Sequence, residues 1–251
     1  MSQLQDRIAR ERQSYEGDIR DQSRRLHRRF MHVFYCPNSL FGERQREKFI
    51  GQRAKGAQVL EVGCGAASTL ETLLERGPKR LVGIDLSRKE IERARTRLGS
   101  RAHFAVMDAH RLCFPDASFD LVVGRSILHH LEYKVALREV SRVLKSGGAA
   151  AFVEPLADNP AAKIYQAFTS RAHTPDEWPL SRKQIRWADC LFEESDHVFC
   201  GFFSTALAIA TSLVTKNSAN VILRAADRAD RTLAFTPARY WMRCAYLHWT
   251  K

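Results

Sequence analysis

The sequence predicts an α/β fold in which helices cover both faces of a doubly wound, mostly parallel sheet. Within residues 57–155, short apolar stretches alternate with helical patterns five times, which is the order that such a sheet requires. Several of these stretches are almost entirely apolar, as expected for strands buried on both faces. The 251 residues include 45% hydrophobic and 27% charged side chains. This balance is typical of one large globular domain and excludes general disorder.

Each predicted element is bounded by residues that start or stop regular structure. The two glycines around Cys64 end the first strand, and Gly77-Pro78 ends the helix that follows it. Ser87 and Glu90 form a capping box before the second helix, and Gly147-Gly148 is expected to end the third. The strands are predicted at 59–62, 80–84, 103–106, 119–123 and 149–153, and the helices at 68–75, 88–98 and 131–144.

The two flanks of this core are less regular. Residues 1–30 are highly charged and predict a helical arm, and turns are expected at Cys36-Pro37-Asn38 and Phe41-Gly42. Asn159-Pro160 is expected to open a further helix. Strands are predicted at 192–203 and 240–249, with helices at 204–216 and 218–231 between them. The chain thus divides into an N-terminal helical arm (1–56), a core (57–155) and a C-terminal part of the same domain (156–251).

The charge balance points to an anionic partner. Lys and Arg together number 40 and Asp and Glu 28, a net charge of +12, which suits nucleic acid, a phosphorylated substrate or an anionic membrane surface. No pair of the six cysteines has C-x-x-C spacing, so neither a zinc site nor a redox motif is indicated, and no metal is expected. The N-terminus lacks a secretory signal pattern, and the uncharged run 198–215 is too polar to span a membrane. We therefore expect a cytoplasmic protein and leave peripheral contact with a membrane open.

A glycine-rich loop predicts a ligand site at the end of the first strand. Gly63 and Gly65 stand between a strand and a helix N-terminus, where small residues allow a ligand close to the backbone. A dinucleotide fingerprint would have a third glycine at position 68, where Ser68 stands. Glu61 precedes the loop and would repel a pyrophosphate. The loop therefore favours a cationic ligand that carries an ammonium and a sulfonium group.

Two further carboxylates follow the next two strands. Asp85 ends the second strand and is placed to accept hydrogen bonds from both hydroxyls of a ribose, and Asp108 follows the third strand, where it can meet an adenine amino group. The carboxyl ends of consecutive parallel strands meet at one edge of a sheet, so we expect three acids, Glu61, Asp85 and Asp108, to line one crevice.

Together these segments resemble the motifs of class I S-adenosylmethionine-dependent methyltransferases. More narrowly, they are similar to the branch that includes the ubiquinone and menaquinone enzymes and many natural-product methyltransferases, called methyltransferase type 11. The resemblance implies a Rossmann-like doubly wound sheet of seven strands with the last antiparallel, and a helical insertion before that last strand. It is strong over 57–155 and rests on the segments 59–65, 83–87, 107–109, 119–123 and 142–148.

The resemblance also implies which residues hold S-adenosylmethionine. Glu61 is expected near the methionine amino group, Asp85 at the ribose, and Asp108 at the adenine edge. The backbone around Gly124 and Arg125 is expected to face the methionine. The full set of expected cofactor contacts is Glu61, Gly63, Cys64, Gly65, Asp85, Leu86, Asp108, Ala109, Gly124 and Arg125.

Two histidines after the fourth strand are candidates for a general base. His129 and His130 lie at the mouth of the expected crevice, and an imidazole exchanges protons readily near neutral pH. His130 is the preferred base, and a packing and capping role for the pair is the alternative. Glu154 and the 173–177 loop are second candidates.

The predicted function is methyl transfer to a small, partly apolar acceptor, at oxygen. The expected acceptor is a natural product, a lipid-linked compound or a sugar metabolite, recognised by the N-terminal arm and by 156–239. The apolar helix 202–214 is expected either in the core or as the lining of an acceptor pocket. Two alternatives stay open: a nucleic-acid methyltransferase, suggested by the charge, and a non-catalytic binding module. No stable nucleic-acid complex is expected, because the segment 124–127 offers no aromatic side chain to stack a flipped base.

Overall fold

The computed structural model describes residues 3–16, 29–159 and 177–251. Within these ranges the strands are β1 (Gln58–Val62), β2 (Arg80–Asp85), β3 (His103–Val106), β4 (Phe119–Arg125), β5 (Leu144–Pro155), β6 (Glu194–Ser195), β7 (Val198–Cys200) and β8 (Cys244–Thr250). The helices are α1 (Gln3–Glu16), α2 (His32–Tyr35), α3 (Pro37–Ala54), α4 (Ser68–Leu74), α5 (Arg88–Leu98), α6 (Tyr133–Val143), α7 (Arg182–Asp189), α8 (Phe203–Ser212) and α9 (Val221–Leu233). Short 3₁₀ turns lie at Gly99–Arg101, Leu128–His130 and Pro237–Trp241.

All described strands join one sheet, in the order β3-β2-β1-β4-β5-β8-β6, with β7 also paired to β8. The first five strands are parallel, and β8 runs antiparallel to β5, β6 and β7. The predicted Rossmann-like fold with an antiparallel last strand and helices inserted before it is confirmed. The predicted strand 192–203 is present as two short pieces, β6 and β7. Because β6–β8 extend the same sheet, the C-terminal region packs with the core. The division of the chain at residues 56 and 155 stays a prediction.

Side chains of the central strands alternate between two hydrophobic layers. Leu60, Val62 and Val122 belong to one buried cluster, whereas Val59 and Leu121 belong to the cluster on the opposite face. This alternation follows from the two-residue repeat of a strand. Both faces of the sheet are therefore covered, and the carboxyl ends of β1–β4 are fixed by packing from both sides.

Of the two turns predicted before the core, the one at Phe41-Gly42 is wrong, whereas the chain does bend at Cys36, which separates α2 from α3. Pro37 occupies the first turn of α3, where its missing N–H costs nothing, and the helix continues through Gly42. A Cβ atom at Gly42 would lie 2.1 Å from Cε2 of the Tyr246 ring. The glycine therefore lets α3 approach β8 closely and does not mark a turn.

Two other boundaries also differ from the prediction, and a third is not tested. Gly147-Gly148 does not end a helix: α6 ends at Val143, because Leu144 already pairs with Phe119 and β5 runs through both glycines. Asn220 caps α9 by accepting from the N–H of Leu223 at 3.0 Å, which delays the start of that helix. The helix predicted to open at Asn159-Pro160 falls in 160–176 and lies outside the described residues, as does 17–28 of the arm.

One buried histidine predicts acid sensitivity of the fold. The His248 ring stacks on Phe49 with 4.2 Å between ring centroids, and burial, together with the positive charge of nearby residues, lowers its pKa from 6.5 to about 4. The unfolded chain therefore takes up a proton first as the pH falls. We expect the free energy of unfolding to decrease from about pH 6.5 down to about pH 4, by up to about 3 kcal/mol from this group.

Denaturant titrations at several pH values test this expectation on the wild type and His248→Gln. The variant is expected to lose less stability on acidification. His103→Gln is the matched control, because His103 is exposed on β3. Parallel losses in the wild type and in His248→Gln would contradict the assignment.

Candidate active site

The carboxyl ends of β1–β4 open onto one cavity of about 170 Å³. Helix α1 from the N-terminal arm covers it. Its lining residues come from the loops after four consecutive strands and from one face of α1. They are Arg7, Ile8, Glu11, Gly63, Gly65, Ile84, Asp85, Leu86, Met107, Asp108, Ala109, His110, Arg125, Ser126, Ile127, His130 and Leu131.

The glycine loop after β1 forms one wall of the cavity. Gly63 and Gly65 both have positive φ angles, +67° and +48°, a conformation that glycine adopts without strain. A Cβ atom on Gly63 would lie 2.7 Å from Cδ1 of Ile127. The loop therefore requires glycine at position 63, and its backbone is open toward the cavity.

Asp85 at the end of β2 is held by two backbone groups. Its Oδ2 accepts from the N–H of Gly65 at 2.9 Å, and its Oδ1 accepts from the N–H of Ser87 at 2.9 Å. These bonds fix the carboxylate between the glycine loop and the start of α5. Carboxylate oxygens have several lone pairs, so the side chain retains acceptor capacity toward a ligand.

Asp108 after β3 is coupled to His110, a residue that the sequence analysis missed. Oδ1 of Asp108 lies 2.6 Å from Nδ1 of His110 and also accepts from the His110 N–H at 2.9 Å. Nε2 of His110 accepts from the N–H of Glu132 at 2.8 Å, so Nδ1 carries the proton and donates to Asp108. Burial raises the pKa of Asp108, but the two hydrogen bonds that it accepts from His110 outweigh this effect, and the net shift is downward. Asp108 is therefore ionised at neutral pH.

A group of charged side chains extends from the cavity lining, through Arg125, to buried residues behind it. Arg125 forms two hydrogen bonds with Glu43 of α3, at 2.7 and 2.6 Å. Arg46 is buried one turn further along α3. Glu61 of β1 is also buried, and burial raises its pKa to about 7 despite Thr69, Arg46 and Arg125, which lower it. Among the described residues, no hydrogen-bond partner is present for its Oε2.

The two candidate histidines have different environments. Nδ1 of His129 donates to Oε2 of Glu154 at 2.7 Å, and Glu154 also accepts from the N–H groups of Ile127 and Leu128 at 2.9 Å. This carboxylate therefore holds the turn after β4 in place. His130 lines the cavity, and its Nδ1 lies 3.2 Å from Oε2 of Glu11 and 3.8 Å from Oε1 of Glu177.

Eight of the twelve predicted site residues therefore line one cavity: Gly63, Gly65, Asp85, Leu86, Asp108, Ala109, Arg125 and His130. Four lie outside the lining. Cys64 points into the hydrophobic layer below the loop, Gly124 packs under Phe152, Glu61 belongs to the charged group behind the cavity, and His129 is held by Glu154. Of the candidate 173–177 loop, only Glu177 belongs to the described residues.

Arg7, Ile8 and Glu11 of α1 are the main lining residues that the sequence analysis missed. Their helix was predicted from its charge pattern, but no local pattern indicates where an N-terminal helix docks. Within the described ranges, no group of three or more His, Cys, Asp or Glu side chains is arranged to hold a metal ion.

The comparisons with known proteins bear on the family and on the fold. A family described as "Methyltransferase domain" matches residues 60–152. The chain is 32% identical over 113 residues to the O-methyltransferase cnsE of Penicillium expansum, covering 43% of this chain and 41% of that protein. It is 34% identical over 99 residues to 27-O-demethylrifamycin SV methyltransferase of Amycolatopsis mediterranei, covering 37% and 36%. The chain thus spans less than half the length of each of these two relatives.

Solved structures share the fold. Phosphoethanolamine N-methyltransferase 2 of Haemonchus contortus superposes with a TM-score of 0.60 at 18% identity, covering 94% of this chain and 60% of that chain. Geranyl diphosphate C-methyltransferase of Streptomyces coelicolor gives a TM-score of 0.56 at 15% identity, covering 83% and 78%. The family match and the two sequence relatives confirm the resemblance that the motifs indicated, and the structures confirm the fold.

Proposed function

We propose that this chain, whose residues 60–152 are a class I S-adenosylmethionine-dependent methyltransferase domain of type 11, methylates a small, partly apolar acceptor at oxygen. One observation carries the proposal: Asp85, Asp108 and the open glycine loop face one cavity that also receives His130. The two relatives described above are named for O-methylation, one of them on 27-O-demethylrifamycin SV.

The cavity lining offers carboxylates, open backbone and apolar side chains that suit the parts of the cofactor. S-adenosylmethionine supplies a methyl group on a positively charged sulfur. We expect Asp85 to accept hydrogen bonds from the ribose hydroxyls, and the Asp108 carboxylate with the Ala109 N–H to bind the adenine edge. Leu86 and Met107 provide apolar contact for the ring. Together these contacts would hold the methyl group in line with the acceptor. Good alignment can lower the free-energy barrier of the transfer by about 7–11 kcal/mol.

His130 is the residue that we assign to proton removal from the acceptor. It lies in the lining, so a substrate hydroxyl in the cavity can approach it. Glu11 near Nδ1 is placed to orient the ring and to stabilise the protonated imidazole. In this role α1 would both cover the site and supply the carboxylate that assists the histidine base.

The net charge of +12 keeps a nucleic-acid acceptor as the second candidate. Labelled S-adenosylmethionine, incubated in parallel with a panel of hydroxylated natural products and lipids and with total RNA or DNA, separates the two. We expect label in a small molecule. Nucleic acid is expected to bind loosely, with an affinity that falls steeply with salt. Stoichiometric label in a defined nucleotide at moderate salt would show the small-molecule proposal to be wrong.

Glu61 predicts that cofactor binding depends on pH. Its pKa is raised to about 7 by burial, and a cationic ligand near it favours the ionised carboxylate. Protons therefore compete with the cofactor. We expect the affinity for S-adenosylmethionine to fall by about tenfold between pH 8 and pH 6.

Calorimetry across this range on the wild type and Glu61→Gln measures the effect. The variant removes the titrating group, so its affinity is expected to change little from this cause. An equally steep decline in both proteins would assign the pH dependence to another group.

A further inference from the structure

Helix α8 presents its apolar side to solvent and its polar side to the protein. Phe203 and Leu207 are 46% and 38% exposed, and Leu213 and Val214, directly after the helix, are 62% and 87% exposed. Ala206 and Ala210 lie exposed between them on the same side. The buried side carries the hydroxyl groups of Ser204, Thr205 and Thr211 together with the small Ala208. The sequence predicted this apolar segment as core or as pocket lining, and much of its apolar surface is neither.

The polar contacts of α8 fix this orientation. Asp230 of α9 accepts from the N–H of Phe203 at 2.8 Å and from the N–H of Ser204 at 3.0 Å, and the Ser204 hydroxyl also donates to it. Oγ1 of Thr211 lies 3.0 Å from Nδ1 of His32. Rotation of the helix to bury its apolar side would break these buried bonds, each of which is costly to lose.

Helix α9, like α8, has a buried side and an exposed side that differ in chemistry. Its two acids, Asp227 and Asp230, are buried, whereas Arg224 and Arg228 are exposed. The segment 197–226 contains no Asp or Glu at all. The exposed surface of this helix pair therefore combines apolar side chains with cations and presents no carboxylate from that segment.

The elements packed against α8 expose further apolar side chains. Val221 and Ile222 begin α9 near the end of α8 and are 80% and 49% exposed. Helix α2, which contacts α8 through His32, exposes Phe34 and Tyr35. We call this combined surface the hairpin face: Phe34, Tyr35, Phe203, Leu207, Leu213, Val214, Val221 and Ile222, flanked by Arg224 and Arg228.

We propose that the hairpin face docks on a lipid bilayer with anionic headgroups. Apolar side chains on one side of a helix, with arginines beside them, are the features of helices that lie in the membrane interface. The net charge of the chain, +12, also favours binding to an anionic membrane surface. No helix in the described part of the chain is long and apolar enough to cross a bilayer.

The position of the hairpin relates this contact to the cavity. Strand β7 ends at Cys200, which pairs with Cys244, and Cys244 pairs with Pro155 at the carboxyl end of β5. Helix α8 therefore leaves the sheet at the edge where the cavity opens. Docking would hold that edge near the bilayer, where an apolar acceptor accumulates. The docking itself does not depend on the proposed methyl transfer, because lipid binding is measured without cofactor.

Flotation with lipid vesicles tests the arginines. We expect the chain to bind vesicles of phosphatidylcholine mixed with phosphatidylglycerol, and to bind phosphatidylcholine alone weakly. Arg224→Gln with Arg228→Gln is expected to reduce the binding about tenfold or more, and added salt to reduce it further. Lys55→Gln with Lys79→Gln removes the same charge from exposed positions at the opposite edge of the sheet and is expected to change the binding little.

Exposed apolar positions are tested in the same assay. Leu207→Gln with Val214→Gln is expected to weaken vesicle binding by about tenfold or more, because apolar burial contributes to interfacial binding. Val106→Gln, at a 41%-exposed apolar position on the far edge strand, is the control. Equal binding by all variants would overturn the proposal. So would a failure to bind anionic vesicles, and a dimer in sedimentation that Leu207→Gln with Val214→Gln dissolves would then assign the face to a second copy of the chain.

Discussion

Replacement of Asp85 by alanine is expected to weaken S-adenosylmethionine binding at least about tenfold, since a hydrogen bond to a charged group contributes about 1.5–3 kcal/mol. The carboxylate faces the cavity and is fixed by the N–H groups of Gly65 and Ser87. It is therefore already oriented when the ribose arrives. Asp85→Asn keeps one acceptor oxygen and is expected to lose less affinity than Asp85→Ala.

A matched control separates the ligand contact from the structural one. Asp120 in β4 also accepts from a backbone N–H, that of Gln58 at 2.8 Å, and pairs with Lys145, at the end of the sheet away from the cavity. Asp120→Ala removes a comparable carboxylate and is expected to leave cofactor affinity nearly unchanged. Calorimetry measures the affinity of the three variants for S-adenosylmethionine. Unchanged affinity in folded Asp85→Ala would contradict the ribose assignment.

The sequence predicted the central sheet well because local patterns determine it. Apolar runs of strand length, a capping residue such as Ser87 and the glycine loop each act over a few neighbouring residues. The Ser87 cap is present, with its hydroxyl accepting from the N–H of Glu90 at 3.4 Å. The carboxyl ends of parallel strands must meet at one edge, so Asp85 and Asp108 were predictable members of one site.

Contacts between distant segments were not predictable in the same way. The docking of Glu11 beside His130 joins residues far apart in the chain, and no pattern near either residue specifies the other. The sequence also could not predict which loop residues point into the cavity. Cys64 and Gly65 are neighbours, but only Gly65 lines it. The outward orientation of the apolar side of α8 depends on Asp230, which lies on another helix and holds the polar side inward.

Replacement of His130 by alanine is expected to lower the turnover number by about 10²–10⁴-fold, which is the usual contribution of a general base. The ring lines the cavity beside Glu11, whereas the predicted ribose and adenine contacts come from β2 and β3. Cofactor affinity is therefore expected to change little. This difference between turnover and binding distinguishes a base from a residue that only supports the fold.

Glu11→Gln gives the second half of this test, since it keeps the shape of α1 and removes the charge near Nδ1 of His130. We expect a smaller loss of turnover and a shift of the acidic limb of the pH–rate profile, because a carboxylate near an imidazole favours its protonated form. His103→Ala, at an exposed position on β3, is the control for a general effect of losing a histidine. These measurements use the acceptor identified by the labelling screen. Equal turnover of the wild type and His130→Ala between about pH 6 and pH 9 would leave His130 with a packing role and require another base or none.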